Sequence, residues 1–99
     1  MNDLIEKVEQ WGRDRQIIPN STPQAQLLKS MSEMGELADA TLKDDVRDII
    51  DGIGDVLVTL ILYSALQNLD IEACLASAYN EIKDRRGTLT PEGVFLKDA

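Results

Sequence analysis

A chain of 99 residues with 18 acidic and 10 basic side chains, no histidine and one cysteine has a formal charge of −8. That excess repels a phosphate backbone and disfavours generic nucleic-acid binding, and the chain lacks the parts for a zinc site, a Ser-His-Asp triad or an intrachain disulfide. Apolar residues at 43% and charged residues at 28% describe a folded domain, whose chemistry must run on carboxylates, lysines and hydroxyls.

One domain over 1–99 is expected, and a domain this small buries only roughly 60 to 65% of the surface its unfolded chain exposes. Pairing between copies is the usual remedy, so a homo-oligomer is expected from size alone. The amino terminus has no basic stretch followed by an apolar run, which predicts a cytoplasmic protein.

Leu4, Ile5, Val8 and Trp11 recur at helical spacing and predict a first helix over about 2–14. Ile17 to Pro23 reads as a loop, with Thr22 as N-cap and Pro23 at the first position of a second helix. That helix, about 22–43, carries Leu27, Leu28, Met31, Met34, Leu37, Ala38 and Leu42 as its apolar stripe. Lys29, Glu33, Glu36 and Asp39 lie near the stripe's edge.

Asp44 or Asp45 caps a third helix, about 45–67, with apolar residues starting at Val46, Ile49, Ile50 and Ile53. From Val56 to Leu66 it is apolar nearly all round, which requires cover on several sides, most simply by a partner chain. This apolar run is well short of the ~20 residues that span a bilayer, so a core helix and no membrane contact are expected. Asn68-Leu69-Asp70 closes it and caps a fourth helix, about 70–86, striped by Ile71, Cys74, Leu75, Ala78, Tyr79 and Ile82. Cys74 is expected to be a buried, inert thiol. Residues 88–99 combine turn residues with a short apolar run and predict a small hairpin or arm.

Two acidic patterns carry the chemistry. Glu33 and Glu36 stand at i and i+3, about 60° apart around a helix axis, so both can reach one cation. Asp48, Asp51 and Asp55 fall at i, i+3 and i+7 on one face of the next helix, an arrangement that is unfavourable without a counterion. Mg²⁺ or Mn²⁺ would remove that cost, with waters and substrate phosphates completing the shell. A solvated acidic face is the other reading of the same residues. Gly35, Gly52 and Gly54 each cost roughly 1 kcal/mol inside a helix, which points to a close approach of another backbone or of a phosphate.

Ser32-Glu33-Met34-Gly35-Glu36-Leu37 and Asp51-Gly52-Ile53-Gly54-Asp55-Val56-Leu57, with Gln26 to Lys29 before and Asn80 to Arg86 after, resemble the MazG-like nucleotide pyrophosphohydrolases. That family's pattern is Glu-x-x-Glu on one helix and Glu-x-x-Asp on the next. The resemblance implies an all-α, four-helix antiparallel bundle of the all-α NTP pyrophosphatase type, with a short C-terminal arm. It implies dimers or tetramers, and hydrolysis of a nucleoside triphosphate to monophosphate and pyrophosphate with Mg²⁺ or Mn²⁺. Glu33, Glu36, Asp51 and Asp55 would be the metal ligands, with Glu33 or Glu36 as general base.

One departure stands out: Gly52 occupies the position of the family's second-motif glutamate, and Asp51 is the nearest acid. Asp51 and Asp55, at i and i+4, lie about 40° apart and can share a metal. Lys29, Lys83 and Arg86 are candidates to contact phosphate, and Trp11, Gln26 and Asn80 to contact base or sugar. Two other functions fit the same residues: a non-catalytic acidic helical or nucleotide-binding module, and an enzyme like phosphoribosyl-ATP pyrophosphatase.

Overall fold

Three side-chain caps set where the long helices begin. Thr22 Oγ1 accepts a hydrogen bond from the Ala25 amide at 3.0 Å, Asp45 Oδ1 from Asp48 at 3.2 Å and Asp70 Oδ1 from Glu72 at 3.0 Å. In the computed structural model, which describes residues 2–98, α1 (Asn2–Asp14) leads into α2 (Ile17–Asn20), and the caps then open α3 (Pro23–Leu42), α4 (Val46–Leu66) and α5 (Ile71–Ile82). β1 (Gly87–Leu89) and β2 (Phe95–Lys97) pair antiparallel, Thr88 opposite Leu96, and form the C-terminal arm.

The expected loop at Ile17 to Pro23 contains a single kinked turn, α2, in which Ile18 is extended at φ −99°, ψ 120°. The fourth helix stops at Ile82, short of the expected 86, because Arg85 N–H bonds back only to Ile82 and the chain then enters β1.

Both helices of the central hairpin end alike. Asp45 N–H bonds to Ala40 C=O and Asp44 N–H to Thr41 C=O, each at 3.1 Å, with Asp44 left-handed at φ 55°. Leu69 N–H bonds to Ser64 C=O and Asn68 N–H to Ala65 C=O, with Asn68 at φ 58°. These are Schellman closures made with Asp and Asn, the non-glycine residues that best tolerate that backbone. Asp45 serves both as the end of the first closure and as the cap of α4, so α3 and α4 turn tightly into an antiparallel pair.

Between them, Ser30 Oγ donates to Thr59 Oγ1 at 2.6 Å, and Thr59 Oγ1 donates to Val56 C=O at 2.7 Å, a buried chain with every hydroxyl used. Ala40, Val56, Ile61 and Leu62 are buried, with Ile5 of α1 covering the far end. Gly12 sets how closely α1 approaches: a Cβ there would stand 2.6 Å from Leu62 Cδ2.

α4 as a whole is 21 residues, longer than its apolar run, and among the described residues it alone is long and apolar enough to cross a bilayer. Its aspartates and its buried contacts with α3 make it the central helix of a bundle.

α5 packs only sparsely on α4, and Ile71 at its start is half-buried. Leu75 and Tyr79 are each 59% exposed and Ile82 52%, and Cys74, expected to be buried, is exposed. Leu28 and Met31 of α3 are likewise exposed. Helical periodicity marks an apolar face but not what covers it, and here one chain leaves much of that face open. The radius of gyration, 16.1 Å, exceeds the ~13 Å of a compact 100-residue domain for the same reason.

Candidate active site

Ser30 opposite Thr59 and Leu37 opposite Gly52 are equally spaced along both helices and define one register for α3 against α4. That register brings the acidic edge of α3 beside the aspartate stripe of α4. Between them lies an open cleft of about 360 Å³. Glu36, Asp39 and Lys43 line it from α3 and the turn; Asp48, Asp51 and Asp55 line it from α4; Ala40 and Gly52 form its floor.

Three of the four expected metal ligands, Glu36, Asp51 and Asp55, therefore share one cavity. Glu33, the fourth, is 8% exposed and does not line it. Its carboxylate is held by Lys29 Nζ at 3.3 Å, one turn earlier on the same helix. Glu33 also acts on Glu36. A hydrogen bond between the two carboxyls, then the Glu33 charge, then slight desolvation, with a smaller push from Asp55, raise the Glu36 carboxyl above its ordinary value; Lys29 opposes them.

The donor chemistry fits a hard divalent cation: five carboxylates from two facing helices, with no softer ligand among them. As the side chains stand they do not converge, and among the described residues no three acids, cysteines or histidines form a metal-ligating group. All five carboxylates are on exposed residues, and like charges at these spacings repel one another without a counterion.

None of the six residues singled out for substrate lines the cleft. Lys29 is paired with Glu33 beside it. Gln26 Nε2 donates to Ser21 Oγ at 3.1 Å, and the Arg15 guanidinium lies 4.7 Å from the Trp11 ring centroid. Asn80, Lys83 and Arg86 are exposed on and just after α5.

Conversely, Asp39, Lys43 and Asp48 line the cleft although the ligand pattern did not include them. Asp39 continues the Glu33, Glu36 spacing by another i+3 step, and Asp48 heads the aspartate stripe, so a signal for both was present. Lys43 had none, because its place follows from the turn that ends α3.

The glycines divide. A Cβ on Gly52 would stand 3.1 to 3.3 Å from the side chain and Cα of Leu37, so here two helices do approach closely. Gly35 and Gly54 face open space, so no other helix of the same chain approaches them closely.

A protein of Haemophilus phage HP1 (strain HP1c1), named only as an uncharacterized 18.2 kDa protein of the rep-hol intergenic region, is 37% identical over 70 residues, 71% of this chain. The chain spans less than half of that relative, the match covering 43% of it. A solved structure, the cyanophage S-2L MazG-like pyrophosphohydrolase bound to dGDP and three catalytic Mn²⁺ ions per active site, superposes with a TM-score of 0.68. It covers 99% of this chain and 96% of its own at 18% identity, a likeness of fold. Residues 21–89, which include all of α3, α4 and α5, match the MazG nucleotide pyrophosphohydrolase domain, and the chain belongs to that family.

Proposed function

We propose that this chain hydrolyses nucleoside triphosphates, deoxynucleotides foremost, to the monophosphate and pyrophosphate with Mg²⁺ or Mn²⁺. The carrying observation is the α3–α4 cleft, which Glu36, Asp51 and Asp55 line together in a chain of MazG type. The dGDP and Mn²⁺ of the cyanophage protein support a deoxynucleotide and a divalent ion here.

Bound metal would neutralise phosphate charge and acidify a water. Glu36, Asp51 and Asp55 would hold the metal, with Asp51 standing in for the family glutamate that Gly52 replaces. One of the two α3 glutamates, Glu33 or Glu36, would take the proton of the attacking water. The water oxygen bonds to the α-phosphorus, and the bridging oxygen leaves with the β-phosphate as pyrophosphate.

The same proposal includes self-assembly as a dimer or tetramer. Supporting it is a nearly all-apolar groove between α1, α4 and α5, where Leu4, Leu57, Leu75 and Cys74 are open to solvent. Burying exposed apolar surface favours association by roughly 25 cal/mol per Å².

A second reading, a binding module without turnover, draws on Gly52, which removes one family carboxylate. Product analysis separates the two. Monophosphate and pyrophosphate in equal amounts support the enzyme; diphosphate with phosphate, or no product from metal-loaded protein, contradicts it. The Glu33→Gln and Glu36→Gln pair then assigns roles, since a lost ligand weakens metal binding and a lost base leaves metal bound and turnover gone.

A further inference from the structure

Lys43 is the one basic side chain lining a cleft otherwise lined by five carboxylates. It forms no ion pair with them: among the described residues the ion pair within 4.0 Å is Lys29–Glu33. Its backbone is fixed, since Lys43 N–H bonds to Asp39 C=O at 3.1 Å and the Schellman closure of α3 follows at once. An ammonium held at the turn end of an acidic cleft, yet unpaired, is available to an anionic ligand.

The direction of the reaction says which part of the ligand that is. Cleaving between the α- and β-phosphates puts the α-phosphorus beside the proposed ligands Glu36, Asp51 and Asp55, of which Glu36 and Asp55 lie farther along their helices from the turn than Asp39, Lys43 and Asp48. β- and γ-phosphates that extend along the cleft toward the turn would reach the one cation lining it, Lys43. Asp39 and Asp48, which are outside the proposed ligand set, line that end of the cleft, so phosphates reaching it without a protein cation would meet like charge there.

We propose that Lys43 binds the β,γ-phosphates of the substrate and the pyrophosphate product, holding the leaving group at the turn end of the cleft. The role rests on the pyrophosphohydrolase reading and adds to it a substrate-positioning residue and an orientation for the phosphate chain.

The test is calorimetric titration of inorganic pyrophosphate into Mn²⁺-loaded protein, for wild type, Lys43→Met, Lys43→Gln and Lys43→Arg, with Mn²⁺ titrated separately and melting curves confirming folding. Loss of one charge-assisted contact weakens pyrophosphate binding in Met and Gln roughly 10- to 100-fold and raises KM for nucleotide alike. Lys43→Arg recovers most of it, and Mn²⁺ affinity does not fall in any variant. A role limited to helix capping would lower melting temperature and leave pyrophosphate affinity alone, overturning the assignment. So would a change in base preference with pyrophosphate affinity intact. If wild type neither releases pyrophosphate from nucleotides nor binds it with Mn²⁺, the pyrophosphohydrolase reading itself fails, and the role of Lys43 with it.

Discussion

Gly52 on α4 lies so close to Leu37 on α3 that a Cβ would stand 3.2 Å from the Leu37 Cβ and 3.3 Å from its Cα. The space a side chain needs at position 52 is already taken by Leu37, whose Cδ1, Cβ and Cα would stand 3.1 to 3.3 Å from that Cβ. That explains in packing terms why Asp51, a neighbour whose side chain reaches the cleft, is the acid available here.

Gly52→Ala gains about 1 kcal/mol of helix propensity but forces a helix contact that costs about 1 to 3 kcal/mol, a net loss on the order of 1 kcal/mol. Gly52→Glu, which restores the family pattern, is expected to lose more and to gain no activity. Urea denaturation and turnover of both variants check this. Gly35→Ala, in open space, is the contrasting control and should gain about 0.5 to 1 kcal/mol.

Asp44 sits in left-handed backbone at φ 55° in the turn that joins the two site helices. Asp44→Gly relieves that conformation and is expected to stabilise the chain by roughly 0.5 to 1 kcal/mol, with the site unchanged. A fall in denaturation midpoint would show that the Asp44 side chain has a role of its own.

The Glu33–Glu36 relationship gives the metal-free protein a pH dependence. Because the Glu36 carboxyl is raised in the folded state, the native chain binds its proton more tightly than the unfolded chain. The unfavourable contribution is absent below the ordinary carboxylate value and fully present once pH has risen past the raised one. Stability in chelator should therefore fall on this account as pH rises above the ordinary carboxylate range, a trend reduced in Glu33→Gln. Denaturation midpoints across that rise measure it, and a slope unchanged in Glu33→Gln would contradict the assignment to this pair.

Self-assembly predicts a solution mass that is a multiple of 11.0 kDa at micromolar protein. Leu75→Glu, which puts a charge in the open apolar groove, should shift that mass toward the single chain. Light scattering that gives a single-chain mass for the unaltered protein would remove the assembly proposal.

The helices were legible because their signals are local. Thr22 followed by Pro23, Asp45 before Val46 and Asp70 before Ile71 mark starts that the structure caps as expected. Spacing also made Glu36, Asp51 and Asp55 neighbours in expectation, and one cleft contains all three. What was not legible depends on tertiary register. Lys43 enters the site through the turn, Glu33 turns toward Lys29, and Cys74 sits on a face whose cover, if any, is not in one chain. Periodicity cannot distinguish an apolar stripe buried within the chain from one that faces a partner.

The central claim is that the α3–α4 carboxylates run a metal-dependent hydrolysis, and pyrophosphate release from a panel of canonical and modified nucleoside triphosphates tests it most directly. Wild type, Glu36→Gln, Asp51→Asn and Asp55→Asn are assayed with Mg²⁺, with Mn²⁺ and with chelator. Release that needs the metal and falls at least about 100-fold in each variant is the expected result. Release that survives chelator or all three substitutions, or none from folded, metal-loaded wild type, would contradict it.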